Sequence, residues 1–108
     1  MSLSTHVLDL AAGRPAAGIA VTVTVRKGDS WAVVGRGVTD ASGRITDLLG
    51  DEPVEAAVYR LTFATGAHLG TTAFYPEVVV TFRVIDPAEH HHVPLLLGPY
   101  GYTTYRGS

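Results

Sequence analysis

Ile19-Ala20-Val21-Thr22-Val23-Thr24-Val25-Arg26 alternates apolar with polar or small residues and never breaks step. A period of two puts Ile19, Val21, Val23 and Val25 on one side of an extended chain and the remaining four on the other. β-Branched side chains suit such a pleated, half-buried surface and crowd a helix. The stretch therefore predicts a strand over residues 19–27 with one buried face. The same period returns in Val78, Val80, Phe82 and Val84, with Glu77, Thr81 and Arg83 in the other phase. Val79 and Ile85 interrupt that polar phase, which predicts a cover over the second face too.

Turn signals divide the rest of the chain. Ala12-Gly13-Arg14-Pro15 separates a first strand, residues 3–10, from the strand at 19–27. Lys27-Gly28-Asp29-Ser30 makes a hairpin connection into a strand over 31–38, and Asp40-Ala41-Ser42-Gly43 turns into a short strand at 44–46. The loop at Gly50-Asp51-Glu52-Pro53 leads to a strand over 57–64. Residues 65–72 have weak helical spacing and fit one short helix. After Asp86-Pro87-Ala88-Glu89 come strands at 90–97 and 100–106, joined by Gly98-Pro99. Eight short strands at spacings of about ten residues define an all-β sandwich or barrel.

The chain has 108 residues, which predicts a single domain, residues 1–108, with a radius of gyration of about 13 Å. Hydrophobic residues make up 46% and charged residues 17%, a composition that folds. There is no cysteine, so disulfides and thiolate metal sites are excluded. Net charge is −2 with eight Lys and Arg spread along the chain, which argues against nucleic-acid binding. The first residues show no basic-then-apolar leader, and no apolar run approaches the ~20 residues of a membrane-spanning helix. The expectation is a soluble, cytoplasmic protein with no membrane partner.

Three groups of residues carry candidate chemistry. His90-His91-His92 stand together in a predicted strand, where alternation prevents His91 from sharing a site with the other two. A zinc site needs three or four protein ligands, so at least one would have to come from elsewhere, and no metal is assigned. The simpler reading is a polar edge strand with exposed imidazoles. Arg44 enters a short strand directly from the turn at Ser42-Gly43; it is either a solvated charge or a fork of donors for an anionic or carbonyl-rich ligand. The last ten residues hold three tyrosines, an arginine and the closing run Tyr105-Arg106-Gly107-Ser108, which suits a ligand better than a core.

These features resemble a known family. Ser4-Thr5-His6-Val7-Leu8-Asp9 resembles the N-terminal motif of the 5-hydroxyisourate hydrolases, which are transthyretin-like proteins, and Asp40-Ala41-Ser42-Gly43-Arg44-Ile45 resembles their arginine motif. Phe74-Tyr75-Pro76-Glu77-Val78, followed by His90-His91-His92-Val93-Pro94-Leu95-Leu96-Leu97, resembles their histidine motif, with His92 matching the functional histidine. Tyr105-Arg106-Gly107-Ser108 is similar to the tetrapeptide that separates these hydrolases from transthyretin, the hormone carrier. His91 stands where the family often has tyrosine, and Gly98 where it often has serine.

The resemblance implies a transthyretin-like sandwich of two four-stranded sheets with one short helix. It also implies a homotetramer, a dimer of dimers, with active sites in the cleft between dimers and neither metal nor organic cofactor. The implied reaction opens the ring amide of 5-hydroxyisourate, the product of urate oxidation, to 2-oxo-4-hydroxy-4-carboxy-5-ureidoimidazoline. Such chemistry needs a base for water, a stabilised oxyanion and an acid for the departing nitrogen. Imidazole as a group titrates near neutrality, so histidines at 6 and 92 suit general base and acid: His6 and His92 are the candidates. Arg44 suits the substrate oxygens, Tyr105 supplies a hydrogen bond and an aromatic wall, and Arg106, Gly107 and Ser108 complete the binding surface. Asp9 orients His6 or caps a turn, and the turn is preferred. Two other readings compete: a transthyretin-like carrier that does no chemistry, and an adhesion sandwich with exposed histidines.

Overall fold

The computed structural model describes residues 2–108; Met1, the first residue of the expected 1–108 domain, lies outside the described residues. The elements in chain order are β1 (Leu3–Asp9), β2 (Arg14–Pro15), β3 (Ala20–Lys27), β4 (Ser30–Val38), β5 (Arg44–Ile45), β6 (Val58–Phe63), α1 (Gly66–Leu69), β7 (Val78–Arg83), β8 (His91–Leu97) and β9 (Tyr102–Thr104). They form two sheets. One has the order β4-β3-β6-β7, all antiparallel. The other has the order β2-β1-β8-β9, and β5 pairs with β1 as well. β2 and β5 share one edge of β1, β2 opposite Leu8 and Asp9, β5 opposite Thr5 and His6. The radius of gyration is 13.4 Å, in line with the length.

Alternation decides what the sheets enclose. Val21, Val23 and Val25 of β3 are fully buried, as the opening stretch predicts, and Ile19 joins them. Leu61 and Phe63 on β6, Val78 and Val80 on β7, and Leu3 and Val7 on β1 face the same interior. From β8 it is Val93, Leu95 and Leu97 that point inward, so His92, Pro94 and Leu96 fall on the outer face. β1 and β8 run parallel, Ser4 level with His92 and His6 level with Pro94. This pairing puts the outward phases of both strands on one surface.

The structure departs from expectation in four places. Arg14–Pro15 pairs with β1 as a fifth, two-residue strand where only a turn is predicted. β8 lies between β1 and β9, so the histidines are not on an edge strand: His91 is 5% exposed, and only His90, just before the strand, is exposed. Val79 and Ile85 are open, at 44% and 79%: Val79 is on the outer face of the edge strand β7 and Ile85 lies just beyond that strand, and among the described residues no element covers them. The final strand covers only Tyr102–Thr104, although the register continues to a bridge between His92 and Gly107. In that register Pro94 faces Tyr105, and proline has no N–H to donate, so the ladder lapses there and resumes at Gly107.

Candidate active site

Arg44 is held by the turn before it. The Asp40 Oδ1 accepts hydrogen bonds from the Ser42 N–H at 2.9 Å, the Ser42 hydroxyl at 2.9 Å and the Arg44 N–H at 3.0 Å. These bonds hold the Asp40 carboxyl below the usual carboxylate range, the Arg44 N–H contributing most. Gly43 has φ 75°, and a Cβ there would lie 2.4 Å from the Val7 carbonyl oxygen, so only glycine lets the turn press against β1. The Gly43 carbonyl accepts from the Val7 N–H at 2.7 Å, which locks the register that sets Arg44 opposite His6.

β1 then carries the site across the sheet. Ser4 and His6 are two residues apart on its outer face, with Arg44 beside His6 on one flank and His92 beside Ser4 on the other. Strand spacing and rise put the backbones of His6 and His92 within about 8 Å of each other. The His6 Nε2 donates to the Ser42 carbonyl at 2.9 Å, so the neutral ring keeps its proton there and presents Nδ1. The Ser4 hydroxyl bonds two imidazoles, His92 through Nδ1 at 2.7 Å and His90 through Nε2 at 2.9 Å. Nε2 is therefore the nitrogen His92 has left for other chemistry. A cavity of about 260 Å³ opens above this row, lined by Ser4, Arg44, Thr46, His90, His92 and Ser108 among others.

Partial burial lowers the His92 pKa, and the positive or titratable neighbours Arg44, His90 and His6 push it the same way. The ring stays neutral, with a lone pair to offer, at a pH where an ordinary imidazole begins to charge. A neutral base beside a guanidinium is an arrangement suited to water activation and oxyanion stabilisation.

His6, Arg44 and His92 thus lie on one sheet face, although Arg44 and His92 line the cavity and His6 does not, and the tail does not join them as one surface. The Gly107 N–H donates to the His92 carbonyl at 2.8 Å, and a Cβ on Gly107 would come within 2.5 Å of the His92 ring. Glycine is what allows the tail to lie against that imidazole. Ser108 reaches the cavity with His92, whereas Tyr105 and Arg106 border a second cavity of about 280 Å³ at the open end between the sheets, with Val80, Phe82, His91 and Val93. Arg106 pairs there with Glu89 at 3.7 Å, both side chains exposed. Within this one chain, then, Tyr105 and Arg106 border one cavity and Ser108 another. By strand alternation His91 turns away from His92. It is buried, with no hydrogen-bond partner for its Nδ1 among the described residues.

Ser4 is the site residue that sequence reading misses. It lies inside the first motif, but its place between two histidines depends on a parallel pairing that no local pattern announces. Asp9 caps a turn, as preferred, by accepting from the Ala12 N–H at 2.9 Å. Its other oxygen takes a bond not foreseen, to the Nε2 of His68 on α1 at 2.7 Å, and not to His6.

The fold is a β-sandwich with polar groups gathered on the outer face of one sheet and a cavity above them. The chain belongs to the HIUase/Transthyretin family, whose model matches residues 3–107. It is 43% identical to the 5-hydroxyisourate hydrolase of Caulobacter vibrioides, covering 98% of this chain and 97% of that one. The Klebsiella pneumoniae 5-hydroxyisourate hydrolase structure matches with a TM-score of 0.84 at 36% identity over all of both chains. Sea bream transthyretin in complex with thyroxine matches with a TM-score of 0.89 at 34% identity, over 99% of this chain and 95% of that one. Enzyme and carrier share the backbone, so the side chains must separate them.

Proposed function

We propose that this protein hydrolyses the ring amide of 5-hydroxyisourate in urate degradation, giving 2-oxo-4-hydroxy-4-carboxy-5-ureidoimidazoline. The observation that carries this reading is His92, a histidine of lowered pKa on the same face as His6 and Arg44. Hormone carriage needs no such proton-transfer pair.

In this mechanism the His92 Nε2 takes a proton from water as its oxygen attacks the ring carbonyl. Arg44, two strands away across β1, stabilises the oxyanion. The protonated imidazole then returns a proton to the departing ring nitrogen. His6, fixed through its Nε2, presents Nδ1 to the substrate and shares the proton traffic. No metal or organic cofactor enters any step.

The cavity lies on an outer sheet face with Arg44 and His90 exposed, and among the described residues no element covers it. A homotetramer, a dimer of dimers with each cleft closed by a second copy, would supply the cover and bring a neighbour's Tyr105 and Arg106 within reach. Among the described residues no helix is long and apolar enough to cross a membrane. We assign the protein to the cytoplasm.

The test is direct. Purified protein added to freshly generated 5-hydroxyisourate should speed its loss of ultraviolet absorbance, with and without chelator. Decay at the rate of the buffer blank would reject the hydrolase and leave the carrier, which thyroxine-like ligands would then reveal by binding. Activity abolished by chelator would reject the metal-free mechanism.

A further inference from the structure

Ser4 is buried on β1 and its hydroxyl touches two imidazoles at once. A hydroxyl has one proton, so it can donate to only one of the two rings while accepting from the other. If His92 Nδ1–H donates to Ser4, then Ser4 donates to His90 Nε2, and the His92 Nε2 is a bare base. If instead His90 Nε2–H donates to Ser4, then Ser4 donates to His92 Nδ1, and the His92 Nε2 bears a proton. The two arrangements are the base and acid forms that hydrolysis requires in turn. His90 stands at the exposed end of this chain of bonds, His92 at the partly buried end.

We propose that His92, Ser4 and His90 form a proton relay between the cavity and solvent, in which Ser4 is a positioning and proton-passing residue. This rests on the reading of His92 as the acid–base group. As water attacks, a proton arrives at the His92 Nε2. The Nδ1 proton of His92 moves to Ser4, the Ser4 proton moves to the His90 Nε2, and the exposed His90 gives up a proton on the solvent side. As the ring nitrogen departs, it takes the Nε2 proton of His92, and the same path runs inward from solvent. One proton leaves and one returns, so water is divided into the hydroxyl on the carbonyl carbon and the hydrogen on nitrogen. The charges facing the His92 ring come from Arg44 on β5, His90 ahead of β8 and His6 on β1, all positive or able to become so. An imidazolium among them is costly, and the relay removes its proton.

The experiment compares Ser4→Ala and His90→Gln with the unaltered protein on 5-hydroxyisourate, in dilute bulky buffer and then with added imidazole. Glutamine can still bond Ser4 but neither takes up nor releases a proton, and His90 is exposed, so that variant keeps the fold; melting temperatures are taken for both. Both variants should lose at least about tenfold in kcat with KM within about twofold, and imidazole should restore kcat in proportion to its concentration. Unimpaired kcat in either variant, a loss that imidazole does not relieve, or a loss expressed in KM would overturn the relay. His92→Ala is run in parallel. If it is fully active, the acid–base reading itself fails; if it is inactive beside an unimpaired Ser4→Ala, only the relay does.

Discussion

At the scale of single residues, exposure and partners assign different work to side chains that look alike in sequence. His6→Ala, Arg44→Ala and His92→Ala should each lower kcat/KM at least about tenfold, the lower range for acid–base and electrostatic contributions, while leaving the melting temperature close to that of the parent. His91→Ala should do the reverse. Its ring fills space on the core side, so the variant should melt earlier, by about 1–3 kcal/mol of stability, and turn over substrate nearly as before. Equal losses of activity in His91→Ala and His92→Ala would mean that the strand register is wrong. The pH profile has a definite sign. His92 is the base when neutral and its pKa is lowered, so the acid limb of kcat/KM should fall below the ordinary imidazole value of about 6.5. A limb above that value would show that burial and the Arg44 charge do not govern the base.

At the scale of elements, the one-turn helix is too short to stand alone and is fastened by the pair Asp9–His68. The bond from His68 is the leading cause that lowers the Asp9 pKa, followed by the Ala12 N–H. Asp9 is ionised at neutrality in folded and unfolded chains alike. As pH falls through 3.8, the ordinary value for an aspartate, the unfolded chain takes up its proton first. Proton uptake then favours unfolding, and the stabilisation is lost as pH drops through the folded value. Asp9→Asn should therefore cost about 1 kcal/mol at pH 7 and flatten the decline of melting temperature below pH 4. An unchanged acid decline would remove Asp9 from the account.

The tail is the second element with a measurable role. Removing residues 105–108 takes away the Gly107 bond to His92 and the Ser108 side of the cavity, yet little buried apolar area. Activity should fall at least about tenfold, as for loss of a positioned acid–base group, with little change in melting temperature. Normal turnover in the truncated protein would make the tail irrelevant to the site. Tyr105→Phe adds a geometric test. A loss as large as that of the truncation would put the Tyr105 hydroxyl in the site of a neighbouring copy, since it does not border its own His92 cavity.

At the scale of the whole molecule, the proposed homotetramer is open to a direct test. Sedimentation should find a species four times the 11.4 kDa chain at micromolar concentration, and a lone 11.4 kDa species would contradict the closed cleft. Much of the architecture was legible because it rests on alternation: the valines of β3 and β7 name their own buried face, and Asp40-Ala41-Ser42-Gly43 names its own turn. Partnership was not legible. Val79 and Ile85 announce a cover without saying that this chain does not provide it, and Ser4 gives no sign of lying between two histidines. Four motifs pointed to His6, Arg44 and His92 as candidates, but a motif is a row of letters, and it does not tell that Tyr105 and Arg106 border a different cavity of their own chain from Ser108.

The parallel pairing of β1 with β8 also governs the order in which the molecule can assemble. The β3–β4 hairpin closes over a two-residue loop, while β1 meets partners 88 residues away. Contact order of that kind slows folding to the order of milliseconds to seconds, because the entropy of closing so long a loop is spent before the contacts form. Trp31, on the hairpin, would report the early sheet in a refolding experiment, and returning activity would report the late one. His6 and His92 meet only when that long loop has closed, so a half-folded chain carries both histidines and no assembled site.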